Sequence, residues 1–245
     1  MRRLDQELVE RGLCESREKA KRAILAGEVR INEQLARKAS DPVKPDDTIN
    51  LAVPEKFVSR GGFKLEHALE HFQLDVNGWS AVDLGASTGG FTDCLLQHGA
   101  KKVYAVDVGH GQLAWKLRRD PRVTVMERVN ARQLTPAQFP QPFLPLDLAV
   151  IDCSFISLRK IIPAAVALLK PAGKIVALIK PQFEAGKKEA DRGAGVIRDT
   201  SVHERVLREL EEFVRGFGRW VGVTESPILG PAGNKEFLVL IEKTG

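Results

Sequence analysis

The sequence predicts an α/β protein built on a mostly parallel sheet, and three observations carry that prediction. Residues 82–91 read Val-Asp-Leu-Gly-Ala-Ser-Thr-Gly-Gly-Phe, a short apolar run entering a glycine-rich turn and then a helical pattern. That is how an open α/β nucleotide fold begins. From Ala81 onward, apolar runs alternate with helical stretches, as strands do when crossover helices lay them parallel. The last two apolar runs have no helix between them, so they are expected to pair as an antiparallel hairpin that finishes the sheet.

Composition bounds the rest. The 245 residues, 43% hydrophobic and 28% charged, suit a globular chain with one medium and one small domain. Lys and Arg number 37 against 32 acids, a net charge of +5, which permits a polyanionic partner. Cys14, Cys94 and Cys153 show neither metal spacing nor a disulfide framework, so no metal is expected and a reducing cytoplasm is the expected location. No stretch resembles a signal peptide, and none approaches the ~20 apolar residues that span a bilayer. A membrane role is therefore not expected. Oligomeric state is unreadable, with a monomer favoured.

The chain in order begins with residues 1–53. Leu4, Leu8 and Val9 share one face of a short helix stopped by Gly12. Ser16 caps a second helix with Ala20, Ala23, Ile24 and Leu25 as its apolar face, and Gly27 ends it. Strands follow at Val29–Asn32 and Thr48–Val53. Ten bases face seven acids in the first 38 residues. Most charge-rich helices only present a solvated face, but here the order of elements adds something. Arg3-Leu-Asp, Ser16-Arg-Glu-Lys-Ala and Gly27-Glu-Val-Arg-Ile-Asn resemble the S-four-type (S4) RNA-binding module. That resemblance implies that Arg2, Arg3, Arg17, Lys19 and Arg22 face folded RNA, read largely through its backbone and shape. Glu33 stands where that module usually has glycine after Asn32.

Residues 54–62 read as a linker ending in Ser59-Arg60-Gly61-Gly62, and residues 63–245 as the large domain. A helix is expected over Phe63–Phe72. The expected strands are Ala81–Leu84, Lys102–Asp107, Arg122–Glu127, Leu146–Asp152, Lys174–Ile179, Trp220–Glu225 and Glu236–Glu242. The expected helices are Phe91–His98, Gln112–Leu117, Leu158–Leu169 and Ser201–Phe217.

Ligands in such sheets bind beyond the carboxyl ends of the strands, so the residues there are the site candidates. Asp83 ends the first strand, where a carboxylate repels a pyrophosphate and suits a cation such as S-adenosylmethionine. Gly85, Gly89 and Gly90 let the backbone turn and approach a ligand, with Ser87, Thr88 and Phe91 between and beyond them. Asp107, 20 residues on from Ser87, is placed to accept ribose hydroxyls, with Val108 beside it. Asn130 and Ala131 lie where an adenine edge would be read. Asp152 and Lys180 fall at neighbouring strand tips. A purely structural ion pair is the alternative there.

The stretches 82–93, 105–115, Asp152-Cys-Ser-Phe-Ile-Ser157, Lys180-Pro-Gln-Phe-Glu184 and Gly230-Pro-Ala-Gly-Asn-Lys-Glu236 resemble the TlyA family of FtsJ-like ribosomal RNA 2′-O-methyltransferases, whose members were also called haemolysins. The resemblance implies a Rossmann-like methyltransferase fold, S-adenosylmethionine as cofactor, and methylation of cytidine ribose in RNA of the small or large ribosomal subunit. It places the family's Lys, Asp, Lys, Glu catalytic set on Lys64, Asp152, Lys180 and Glu236, with Asp152 also close to the cofactor. Cys153 reads as incidental variation.

On that reading Lys180 takes the proton of the ribose hydroxyl. A lysine ordinarily titrates near about 10.4, and burial beside a second ammonium, here Lys64, favours the neutral amine. Asp152 orients Lys180, and Glu236 limits the net charge. The stretch 154–198 carries nine bases and three acids. Arg60, Lys187, Lys188 and Arg192 are expected to meet the RNA backbone. The alternatives are a non-enzymatic ribosome-assembly factor and a membrane-active haemolysin.

Overall fold

The computed structural model describes residues 2–51, 56–186, 189 and 195–244. Contacts divide the chain into two compact units, Met1–Lys56 and Phe57–Gly245.

In the smaller unit β1 (Arg2–Arg3) leads into α1 (Leu4–Glu10), and α2 (Arg17–Leu25) follows. Ser16 Oγ accepts from Lys19 N at 3.2 Å and so caps α2 as expected. β2 (Val29–Ile31), β3 (Gln34–Leu35), β4 (Pro42–Val43) and β5 (Ile49–Leu51) complete the unit. β3, β2 and β5 form one antiparallel sheet, and β1 pairs with β4. Leu4, Leu8, Ala20, Ala23, Ile24, Val29, Val43 and Ile49 make the core. Leu25 does not join them. It is 84% exposed at the last position of α2, turned about 100° round the helix from the buried Ile24.

The turn between β2 and β3 places Asn32 at φ 48° and Glu33 at φ 67°. Asn32 suits this because its side chain bonds outward, accepting from Thr48 N at 2.9 Å and donating to Asp47 Oδ1 at 2.7 Å. Glu33 holds a left-handed conformation that glycine would adopt without strain.

The larger unit opens with Phe57, 1% exposed, and α3 (Gly61–His71). The expected linker 54–62 is thus corrected over its second half, and the large unit begins before residue 63. Phe57 packs so tightly on Gly62 that any Cβ there would collide with its ring, and Val58 N donates to Asp93 Oδ2 at 2.8 Å. Residues 52–55 lie outside the described residues.

Then come β6 (Ser80–Leu84), α4 (Gly90–Gln97), β7 (Lys102–Asp107), α5 (Trp115–Arg118), β8 (Val123–Glu127), β9 (Leu146–Ile151), α6 (Ile162–Leu168), β10 (Leu169–Ile179), α7 (Pro181–Glu184), α8 (Thr200–Val214), β11 (Gly218–Glu225) and β12 (Phe237–Lys243). The sheet order is β11-β12-β10-β9-β6-β7-β8. β6 to β10 run parallel, while β12 lies antiparallel between β10 and β11. Successive residues serve opposite faces. Val82, Leu84, Ala149, Ile151, Ala177 and Ile179 pack towards α6 and α8. Ala81, Val103, Ala105, Leu148, Val150 and Leu178 pack with residues of α3 and α4. Both faces are covered, which is why these strands read as continuous apolar runs.

Two helices differ from expectation. The stretch Gln112–Leu117 yields only α5. The stretch Leu158–Leu169 starts as a 3₁₀ turn (Leu158–Lys160) before α6, because Pro163 suits only the first turn of a helix.

The turn strain yields a prediction. Glu33→Gly removes a left-handed non-glycine residue and should stabilise the small unit by about 1 kcal/mol, since the lost Asn50 contact to Glu33 is exposed. Hydrogen exchange at β2 and β3 in the full chain should slow; faster exchange would contradict it.

Candidate functional site

The parallel strands deliver their carboxyl ends to one edge of the sheet, and β12, running the other way, starts there. Ile179 pairs with Phe237, so Lys180 and Glu236 leave neighbouring strands side by side. Ile151 pairs with Leu84, and Asp152 N donates to Leu84 O at 3.0 Å. Two adjoining cavities open at this edge, of about 610 and 510 Å³.

The larger cavity brings together all four residues of the expected catalytic set, Lys64, Asp152, Lys180 and Glu236. Lys64 Nζ reaches Glu236 Oε2 at 2.5 Å, and both side chains are almost fully buried, at 9% and 1% exposure. Lys180 Nζ lies 2.6 Å from Asp152 Oδ1. That oxygen is not within hydrogen-bonding geometry of any donor among the described residues, so the contact is ionic and not an aligned bond. Each lysine therefore faces its own carboxylate. The second oxygen of Glu236 is buried without a partner among the described residues, directly under Gly230, where a Cβ would stand 2.5 Å away.

Asp83, Gly85, Ser87, Thr88, Gly90 and Phe91 line the same cavity. Asp83 is completely buried. Its Oδ2 accepts from Thr92 N (2.9 Å) and Thr92 Oγ1 (2.7 Å), which anchors the glycine turn to α4. Its Oδ1 has no partner among the described residues. Burial above all, with the Asp152 carboxylate adding to it and the Thr92 bonds opposing, pushes Asp83 up to about 7. A buried acid with one oxygen unanswered beside a cavity fits a cationic ligand. Gly85, at φ 87°, lets the backbone pass where a Cβ would sit 2.7 Å from Asp152 O. Gly89, at φ 100°, makes the turn without itself lining either cavity, and a Cβ there would meet the Leu113 and Leu117 side chains.

The smaller cavity is lined by Asp107, Val108, Asn130, Ala131 and Cys153, and shares Gly85, Ser87 and Asp152 with the larger. Asp107 accepts from Ser87 N at 2.8 Å and from Gly109 N at 2.6 Å, so its carboxylate is aimed before any ligand arrives. Asn130 Oδ1 accepts from Arg132 N at 3.0 Å and caps a 3₁₀ turn. The Cys153 thiol is pushed up to about 12 by burial and by Asp152. It stays protonated and donates to Leu84 O at 3.4 Å.

Sequence reasoning singled out no role for several residues here. Ser154, Phe155, Gln182 and Phe183 also line the large cavity. Phe155 is 91% exposed, sits at φ 64°, and lies 5.1 Å from the Phe183 ring, centroid to centroid. The only signal for them was membership of the stretches 152–157 and 180–184.

The basic candidates fall into four groups. Arg3 and Arg17 both bond to the fully buried carboxylate of Asp5, at 3.0 and 2.9 Å, which holds Asp5 down at about 2, the Arg3 hydrogen bond being the largest cause. Arg2 pairs with Glu10, and Lys19 with Glu15. Arg22 and Arg60 are exposed, and Arg60 lines the large cavity. Lys187, Lys188 and Arg192 lie outside the described residues.

Among the described residues no cluster of metal-ligand type is present, and no helix is long and apolar enough to cross a membrane.

Comparison with known proteins agrees with this geometry. Residues 57–243 match the FtsJ-like methyltransferase family, and residues 2–49 match the S4 domain. The chain is 50% identical to YqxC of Bacillus subtilis, named as a candidate rRNA methyltransferase, over 99% of this chain and 86% of that protein. It is 45% identical to the 16S/23S rRNA (cytidine-2′-O)-methyltransferase TlyA of Mycobacterium tuberculosis, over 97% and 88%. A solved Streptococcus thermophilus structure, described as a candidate hemolysin, superposes with a TM-score of 0.75 at 46% identity, covering 99% of this chain and 88% of that one. The N-methyltransferase NodS of Bradyrhizobium japonicum, solved with S-adenosyl-L-homocysteine, shares the fold alone, with a TM-score of 0.51 at 17% identity over 75% and 88%. A methyltransferase sheet with its last strand reversed, two lysine–carboxylate pairs at its carboxyl edge, and these matches together place the chain in the FtsJ-like methyltransferase family.

Proposed function

We propose that this chain transfers a methyl group from S-adenosylmethionine to the ribose 2′-hydroxyl of a cytidine in ribosomal RNA. The observation that carries the reading is the convergence of Lys64–Glu236 and Lys180–Asp152 in one cavity that adjoins the cavity of Asp107. In this reading residues 1–53 supply RNA binding and the unit from Phe57 onward supplies chemistry. The work is cytoplasmic, where ribosomal RNA is found.

The cofactor supplies an electrophilic methyl on a sulfonium when bound. Asp83 and the turn from Gly85 to Phe91 would hold it on one side, and Asp107, Val108, Asn130 and Ala131 on the other. Lys180 Nζ is the group that takes the proton of the 2′-hydroxyl, and Asp152 keeps that amine in place. Lys64, matched by Glu236, holds the ribose or a neighbouring phosphate through its remaining donors. Positioning dominates the acceleration, because the leaving group is already activated. Phe155 offers the exposed aromatic face on which a nucleobase turned out of its stack could rest.

Three outcomes follow from this reading. With labelled S-adenosylmethionine and unmodified ribosomal subunits, label should appear in ribose-methylated cytidine. Lys180→Ala should slow the transfer by about 10²- to 10⁴-fold; full activity in that variant would favour an assembly-factor role. Phe155→Ala should raise the RNA KM by about tenfold or more, the scale of one base–aromatic stack, while cofactor binding measured by calorimetry stays the same.

Asp83 sets a pH dependence. Its folded value of about 7 lies above the ordinary 3.8, so the folded state holds the extra proton between those values. Stability of the ligand-free protein then falls as pH rises through that window. Affinity for the cationic cofactor should rise over its upper part, because the ionised acid is the form that attracts it. Melting curves and titrations from about pH 5 to 8 should show both slopes in the wild type and flatten in Asp83→Asn.

A further inference from the structure

The four charged residues do not account for how Lys180 is aimed. An ammonium has three donors. Lys180 Nζ donates one to Ser154 Oγ at 2.8 Å and stands 2.6 Å from Asp152 Oδ1. The Asp152 contact is ionic and out of line, and a Coulombic contact constrains direction weakly. The aligned bond on this amine comes from Ser154. With two directions taken, the third is left for the cavity that Lys180 and Ser154 both line.

Ser154 lies in the segment between β9 and the 3₁₀ turn at Leu158, outside any helix or strand. Glu184, on α7 and four residues past Lys180, holds that segment from the other side. Its Oε2 accepts from Ser157 Oγ at 2.6 Å, and its Oε1 from Leu158 N at 2.7 Å. Burial pushes the Glu184 carboxyl up, so the group stands in a costly place and both of its oxygens go to this one segment. Between the two anchors Phe155 is held at φ 64°, a conformation that a bulky residue keeps only when its surroundings impose it. The contacts close a ring: Lys180 to Ser154, along the chain to Ser157, across to Glu184, and back through α7 to Lys180.

We propose that Ser154 is a positioning residue for methyl transfer, its hydroxyl, held in register by Glu184 through Ser157, fixing the direction of Lys180 Nζ towards the ribose hydroxyl. The inference rests on the reading of Lys180 as proton acceptor. The other titratable groups around Lys180 are Asp152 and Cys153 after β9, Asp83 on β6, Lys64 on α3, Glu236 ahead of β12 and Glu184 on α7. Replacing Ser154 alters none of them. Ser154 is exposed in the cavity, so its replacement also removes nothing from the core.

The test is single-turnover methyl transfer to unmodified subunits across pH, for wild type, Ser154→Ala, Ser154→Thr and Glu184→Gln. In Ser154→Ala the rate should fall about tenfold, with the RNA KM unchanged. The rising limb of its rate–pH profile should move to lower pH by about half a unit or more, because the ammonium has lost an acceptor. Ser154→Thr should restore both rate and limb. Glu184→Gln should lower the rate without raising KM. A Ser154→Ala variant with the wild-type rate and the wild-type limb overturns the proposal, as does a rate loss that comes only with weaker RNA binding. Wild-type protein that transfers no methyl group overturns the reading of Lys180 and this proposal with it. An active wild type with unmoved variants overturns the proposal alone.

Discussion

Two lysine side chains lie almost out of water, each against one carboxylate, and the larger unit is arranged so that this can happen. An unpaired buried charge costs several kcal/mol, and a pair is tolerated only with good geometry. Lys64 and Glu236 are 172 residues apart in sequence and meet at 2.5 Å. That meeting requires α3 to pack against the sheet and β12 to begin at the edge where β10 ends. The reversed direction of β12 is therefore a requirement of the site. A parallel last strand would begin at the opposite edge and carry Glu236 away from Lys64.

Asp83 has a double part. One oxygen ties the glycine turn to α4 through Thr92, and the other has no donor among the described residues. The same burial that makes its Thr92 bonds strong makes its charge costly, so on the proposed reading its ionisation is linked to the arrival of the cationic cofactor. Asp107 is built otherwise. Two backbone amides aim its carboxylate in advance, which lowers the ordering cost of binding.

In the small unit the basic side chains are organised by an acid. Asp5, fully buried, holds Arg3 and Arg17 together, which sets where two positive charges stand on the surface of that unit. Most of their charge remains solvent-facing, with side chains 46% and 52% exposed. The pairing orders these arginines without hiding them.

The strands were legible from sequence because both faces of the sheet are covered and their apolar runs are unbroken. The residues at strand tips, Asp83, Asp107, Asp152, Lys180 and Glu236, were legible because a tip is where such a run stops. Helix lengths were less so. Gln112–Leu117 has helical composition, yet only Trp115–Arg118 forms, and Leu158–Leu169 is divided ahead of Pro163. The linker was misjudged because Ser-Arg-Gly-Gly looks flexible in isolation, whereas Gly62 is there to admit the Phe57 ring. By itself the sequence determined the periodicities, the order of the elements and the kinds of side chain delivered to one edge, since these depend on neighbours in the chain. Only the tertiary structure decided which lysine faces which carboxylate, and that Ser154 and Glu184 hold the segment around Lys180. Those contacts join residues tens to hundreds of positions apart, and sheet order and register, not local pattern, bring them within bonding distance.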